Sequence, residues 1–343
     1  MKTFGILLLF ISTAHALTST WTETLHFTKN KLGNLELIVD LSSSSSFLIE
    51  ARCENCPFRG INRRFFPEKS ASFEEAGSVF EKNFDENLNN GKGGVLGYTG
   101  KDVVGNTKTQ RDTFGLVKRL NTFYDPAETL NRDRVAGRLG LALKTKDETN
   151  LLDIFFEGID KKLVCFAPKC YKDQNGFDHC ENNVSKGTFP DQLEYKNITQ
   201  VKVIDTRQEF WEFKVEAFSH PSTSSKSFNA ILSTTTSDFT IPAEIFNTLK
   251  LHYSAFKNKD GLYQVDCSHR DRNTHFAFTI NGVNVPISSD KLIGYDIWSK
   301  TCHLRAKPAV GFYSNTWVFG TVFTDSIGIC LDFDDKQINF IQV

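Results

Sequence analysis

The sequence predicts a mainly β protein in two comparable halves, with few and short helices. Three observations carry this. Phe occurs 31 times in 343 residues, a usage that suits aromatic-rich strands better than an Ala/Leu helical bundle. Trp211 to Phe218 alternates apolar and polar residues, the period of a half-buried strand. One layout also occurs twice: Ile38-Val39-Asp40 runs into Leu41-Ser42-Ser43-Ser44, and Ala230-Ile231-Leu232-Ser233 runs into Thr234-Thr235-Thr236-Ser237. About a hundred residues after each, a strand-like run ends in glycine, Arg138-Leu139-Gly140 and Val318-Phe319-Gly320.

In chain order, Lys2, the apolar run Phe4 to Ile11 and Ala14-His15-Ala16 read as an export signal cleaved after residue 16. Leu35 to Val39 is the first clear strand. Asn150 to Glu157, with Asn150 as its cap, and Pro242 to Tyr253, with Pro242 in its first turn, are the helical stretches. Pro168 to Asp191 reads as a polar connection between the halves. Phe276 to Ile280, Trp317 to Phe319 and Ile327 to Phe333 complete the strand candidates. The expected domain plan is signal peptide 1–16, first lobe 17–167, connection 168–200 and second lobe 201–343.

Composition excludes several classes. With 40 Lys+Arg against 41 Asp+Glu, the chain has no basic excess to hold nucleic acid. No stretch beyond the leader is apolar enough to span a bilayer. The eight cysteines form an even set in an exported chain, which favours disulfides. Cys53-Glu54-Asn55-Cys56 lacks the second pair or nearby histidines that zinc requires, so neither metal nor cofactor is expected. Asn183-Val184-Ser185 and Asn197-Ile198-Thr199 are glycan sequons. A serine nucleophile is not indicated, since there is no G-x-S-x-G elbow.

The ordered motifs along some 300 residues resemble the pepsin-like aspartic protease family. Besides the two loops, Cys53 and Cys56 and then Phe66-Pro67-Glu68-Lys69-Ser70-Ala71-Ser72-Phe73 resemble the family's small disulfide loop and the segment after it. Gly91-Lys92-Gly93-Gly94-Val95-Leu96-Gly97, ending at Asp102-Val103-Val104, resembles its flap hairpin. Val265-Asp266-Cys267, Phe278 to Val283, Cys302, Trp317 to Gly320 and Ile338-Asn339-Phe340 follow in family order. The resemblance implies a bilobal fold, two β-barrel-like lobes joined by an inter-lobe sheet, with one Asp-Thr-Gly loop from each lobe.

That family's hydrolysis needs two carboxylates sharing one proton, so that one acts as base toward water and the other as acid toward the carbonyl. Carried over by position, the first is Asp40 and the second is Ser233. A serine hydroxyl neither ionises nor splits a shared titration, so Asp40 stands as a lone carboxylate. The threonine after the first Asp is Leu41, while its second-lobe counterpart Thr234 survives, followed by Thr235 and Thr236. The loop glycines are Ser42 and Thr235, the flap tyrosine aligns with Asn90 beside Gly91 and Gly93, and the aspartate of the strand ending at Gly140 is Ala136. Leu17 to Asp40 has about the length the mature fold uses before its first loop, so no prosegment is expected.

The resemblance further implies the pairs Cys53–Cys56, Cys267–Cys302 and Cys170–Cys180, leaving Cys165–Cys330 between strands of the inter-lobe sheet. Its functional implication is a secreted, monomeric, non-hydrolytic relative that holds an extended peptide or a secreted protein in the inter-lobe cleft. The alternative is a residual aspartic-type endopeptidase using Asp40 with another partner.

Overall fold

The computed structural model describes residues 21–27, 33–56, 64–89, 93–105, 111–120, 135–143, 149–172, 178–190, 196–204, 209–259, 261–270, 275–296, 299–311 and 314–342. The side chains at 169–172 and 178–182 lie outside that description. So do the leader, Asn90, Gly91 and the side chains of Cys170 and Cys180.

The first half builds one seven-stranded sheet. Its strands are β1 (Thr22–His26), β2 (Asn34–Asp40), β3 (Phe47–Glu54), β4 (Glu74–Phe84), β5 (Gly93–Asp102), β6 (Asp112–Leu120) and β7 (Gly137–Gly140). They lie in the order β1-β2-β7-β3-β6-β5-β4. β4 and β5 form the long antiparallel hairpin that the flap motif predicts. The connecting chain adds β8 (Leu163–Lys172), β9 (Asp178–Lys186) and β10 (Lys196–Lys202). The stretch read as a polar connection is therefore itself a hairpin, with Cys170 opposite Cys180 in register. β8 to β10 join Gly328–Asp332 and Gln337–Gln342 in a five-stranded sheet built from the middle and the C-terminal end of the chain. In it Cys165 is paired with Cys330 in register, and the two are disulfide-bonded. Closing so long a loop limits the unfolded chain, a contribution of about 4–5 kcal/mol on the chain-entropy account. Cys53–Cys56 and Cys267–Cys302 are also bonded.

The second half builds three smaller sheets. The alternating run from Trp211 is split into Glu212–Val215 and Ala217–His220, because Glu216 leaves one sheet for the next. The two helical stretches read from the sequence form as Leu152–Phe155, with the Asn150 side chain accepting from the Leu152 amide at 2.8 Å, and Ala243–His252 after Pro242. Ser289–Leu292 and Thr321–Thr324 are further short helices. The phenylalanines fill the second lobe's centre. Phe278 and Phe319 lie 4.6 Å apart by ring centroid, as do Phe319 and Phe323, tilted rather than stacked flat, as the ring quadrupole favours.

The repeat in the sequence is a repeat in the backbone. β2 runs parallel to β7, with Ile38 opposite Arg138 and Val39 opposite Leu139. Phe228–Leu232 runs parallel to Trp317–Phe319, with Ile231 opposite Val318 and Leu232 opposite Phe319. The Val39 amide donates to the Trp21 carbonyl, and the Leu232 amide to the Trp211 carbonyl. The two indoles then cross over: Trp21 Nε1 reaches Thr324 Oγ1 at 3.2 Å, and Trp211 Nε1 reaches the Leu141 carbonyl at 2.8 Å. A Cβ on Gly140 would lie 2.6 Å from the Ser45 carbonyl oxygen, and one on Gly320 2.4 Å from that of Asp238. Both glycines are needed so that a loop can pass over its strand.

Candidate functional site

Where the two repeats meet, each strand delivers a polar loop into the interior. Asp40 ends β2, and Ser233 follows the strand Phe228–Leu232; both are buried. They sit at equivalent points of the repeat and are joined across the floor by a chain of hydroxyls. Ser42 Oγ donates to Asp40 Oδ1 at 2.6 Å, Ser42 Oγ and Thr235 Oγ1 are 3.3 Å apart, and Thr235 Oγ1 and Ser233 Oγ are 3.2 Å apart. Thr234 ties the loops: its hydroxyl donates to the Val39 carbonyl at 2.6 Å and accepts from the Leu41 amide at 3.2 Å. The reciprocal link needs a hydroxyl at 41, where Leu41 packs into the apolar core instead. Thr236 is buried and its carbonyl receives the Thr321 amide at 2.9 Å, a structural task.

Asp40 is not the lone carboxylate that the sequence reading takes it for. Arg138 Nη1 lies 3.1 Å from Asp40 Oδ2, with both side chains almost fully buried (2% and 3% exposed). The same nitrogen donates to Asn89 Oδ1 at 2.7 Å, and the guanidinium lies 4.3 Å from the Phe84 ring centroid. Asp40 Oδ1 takes the Ser42 amide at 2.8 Å as well as the Ser42 hydroxyl. Both carboxylate oxygens thus have donors from this chain. A buried charge needs such a partner.

Sequence reasoning named Arg138 only as part of a strand ending in glycine. The signal was available: a guanidinium in the middle of an otherwise apolar, fully buried four-residue strand requires a counter-charge. Asp238, the other acid near Ser233, sits 3.9 Å from Arg305 and is partly exposed.

The second surprise is the flap tip. Residues 85–89 turn inward from the end of β4, with Leu88 buried against Ile231, Val318 and Phe210. The Leu88 carbonyl accepts from Ser233 Oγ at 2.6 Å and from Thr235 Oγ1 at 2.9 Å. Phe84 is buried at the end of β4, and Asn90, the position aligned with the flap tyrosine, lies outside the described residues. Beside the tip remains a cavity of about 350 Å³ lined by Asp40, Ser42, Lys82, Phe84, Glu209 and Phe210, among others. It lies at the small end of the range for ligand pockets, and an extended peptide advances more than 3 Å per residue, so the cavity itself matches a side chain or a small molecule.

Two pseudo-equivalent lobes, each bringing a loop to a shared floor beneath a β-hairpin, define the pepsin-like class of protein. The chain belongs to the eukaryotic aspartyl protease family, whose sequence profile matches residues 30–343. Among its relatives are Aspartic protease 17 of Caenorhabditis elegans, 22% identical over 329 residues that cover 89% of this chain and 78% of the relative, and Pepsin II-2/3 of Oryctolagus cuniculus, 22% identical, covering 88% and 76%. Pepsin A of Sus scrofa is 24% identical, covering 90% and 77%. The disulfides and the mainly β architecture agree with that membership. No helix among the described residues is long and apolar enough to cross a membrane, and those residues contain no cluster of His, Cys, Asp and Glu suited to a metal ion.

Proposed function

We propose that the protein is an exported, non-hydrolytic member of this family that binds an extended peptide or protein segment instead of cutting it. The observation that carries the reading is the Asp40–Arg138 pair opposite Ser233. An acid protease shares one proton between two carboxyl groups and positions water on them. Here one seat holds a hydroxyl, and the other holds a carboxylate whose counter-ion is built into β7. Water has no base on this floor, and the substrate carbonyl has no acid.

Export rests on the leader ending at Ala16, on disulfides that suit an oxidising compartment, and on sequon residues Asn183 and Asn197, both exposed. The lobes are taken to span 17–167 and 201–343 about the connection 168–200, in a monomeric protein. Incubation with denatured casein at acidic pH, with and without pepstatin, tests the reading. No pepstatin-sensitive peptides are expected. Cleavage that pepstatin blocks and that Asp40→Asn abolishes would overturn it and leave the endopeptidase alternative.

A further inference from the structure

We infer that the second lobe has turned its catalytic seat into a receptor for a peptide carbonyl, filled in this structure by the protein's own flap tip. A carbonyl oxygen has two lone pairs, and at Leu88 both are taken, by Ser233 Oγ at 2.6 Å and Thr235 Oγ1 at 2.9 Å. The neighbouring carbonyls are read as well: Asn87 O accepts from Thr240 Oγ1 at 3.0 Å, and Glu86 O and Asn89 O accept from Lys307 Nζ at 2.7 and 2.9 Å. The Asn87 side chain closes a two-way link with Val310, donating to its carbonyl at 3.0 Å and accepting from its amide at 2.8 Å. The Leu88 side chain fills the apolar site of Ile231, Val318 and Phe210. This is how a groove reads a peptide: main-chain groups for affinity, one side-chain pocket for selection.

The ligand class follows from the occupant. It is a peptide with a leucine-sized aliphatic side chain whose carbonyl meets Ser233 and Thr235, preceded by asparagine. Such a peptide binds when the tip lifts, so the tip in place lowers apparent affinity by the fraction of time the site is open. The inference rests on the non-hydrolytic, peptide-binding reading and names its ligand and its regulation.

The test uses the full mature chain and the synthetic peptide acetyl-Asp-Glu-Asn-Leu-Asn-amide, the sequence of residues 85–89. Amide exchange across 85–89 is measured first, in the wild type and in Asn87→Ala and Asp85→Ala, which loosen the tip from its own side and leave Ser233, Thr235, Thr240 and Lys307 in place. Slow exchange in the wild type, and faster exchange with at least tenfold tighter peptide binding in either variant, supports the inference, provided the same peptide with Asp for Leu does not bind. Fast exchange at the tip in the wild type overturns it. So does a loosened variant that binds neither peptide, or that binds both equally. Recovered peptide is weighed by mass spectrometry. Intact peptide supports binding without hydrolysis, whereas cleaved peptide overturns the non-hydrolytic reading and, with it, the receptor built on that reading; failure to bind leaves that reading standing.

Discussion

The two loops at the floor of the cleft occupy equivalent backbone positions yet are stabilised by opposite means. In the first lobe, a carboxylate at residue 40 is matched by a cation at residue 138, opposite Ile38 in the parallel pair. In the second, the equivalent pair is Ser233 and Val318, opposite Ile231. There a neutral hydroxyl needs only a carbonyl, and the flap tip supplies it. The difference shows that equivalent backbone positions can be satisfied in different ways: one lobe by charge and the other by a hydrogen bond to a main-chain oxygen. A dyad of two acids would repel unless it held a proton; a carboxylate beside a guanidinium and a neutral hydroxyl have no such repulsion.

The comparison breaks most sharply at Arg138. Arg138→Leu restores symmetry with Val318 but leaves Asp40 buried without its counter-ion, and a loss of about 3–5 kcal/mol is expected in urea unfolding. The double change Arg138→Leu with Asp40→Asn should recover much of that loss. If the single variant unfolds like the wild type, the ion pair is not what holds the first loop.

Acid sensitivity is expected in the second lobe. His220 is buried there, hydrogen-bonded to Tyr253 and Ser222, with His252 5.0 Å away by ring centroid. Burial, aided by the His252 charge, pushes its pKa down to about 4. The unfolded chain takes up the proton near pH 6.5 and the folded one only near 4, so stability is full above the higher value and falls as pH drops toward the lower. The loss is about 3 kcal/mol. Urea unfolding at pH 7 and pH 4 should show it, and His220→Gln should flatten the profile. Burial also lowers His303 in the same lobe, so some slope remains in the variant.

A smaller effect sharpens the contrast at the loop-tying residues. Thr234→Val removes one donor to Val39 and one acceptor from Leu41, and about 1–2 kcal/mol is expected by thermal or urea unfolding. Leu41→Ala, which leaves those bonds intact, should cost stability through lost packing alone. A negligible effect of Thr234→Val would mean that the surviving half of the link has no structural role.

Much of this fold was legible in the sequence because strand alternation, the twin loop motifs and the paired glycines are local patterns with direct backbone meaning. The equivalence of Ser233 and Asp40 in the backbone was legible for the same reason: position along a repeat locates both. Arg138 was overlooked because the motif was read for its glycine, although a cation inside an apolar strand already calls for a buried anion. The flap tip was beyond reach for a different reason. Asp85 to Asn89 reads as a polar turn, and its partners Ser233, Thr235, Thr240, Lys307 and Val310 come from a lobe more than a hundred residues away. Only the packed chain brings them together.

The central claim is that the cleft floor carries a neutralised carboxylate facing a hydroxyl sealed by the chain's own carbonyl. A crystal structure of the protein at acidic pH tests it most directly. The account requires Arg138 within ion-pair distance of Asp40 and the Leu88 oxygen on Ser233. A density map with Arg138 turned away, the tip raised, and a water held between Asp40 and a second carboxyl group would contradict it.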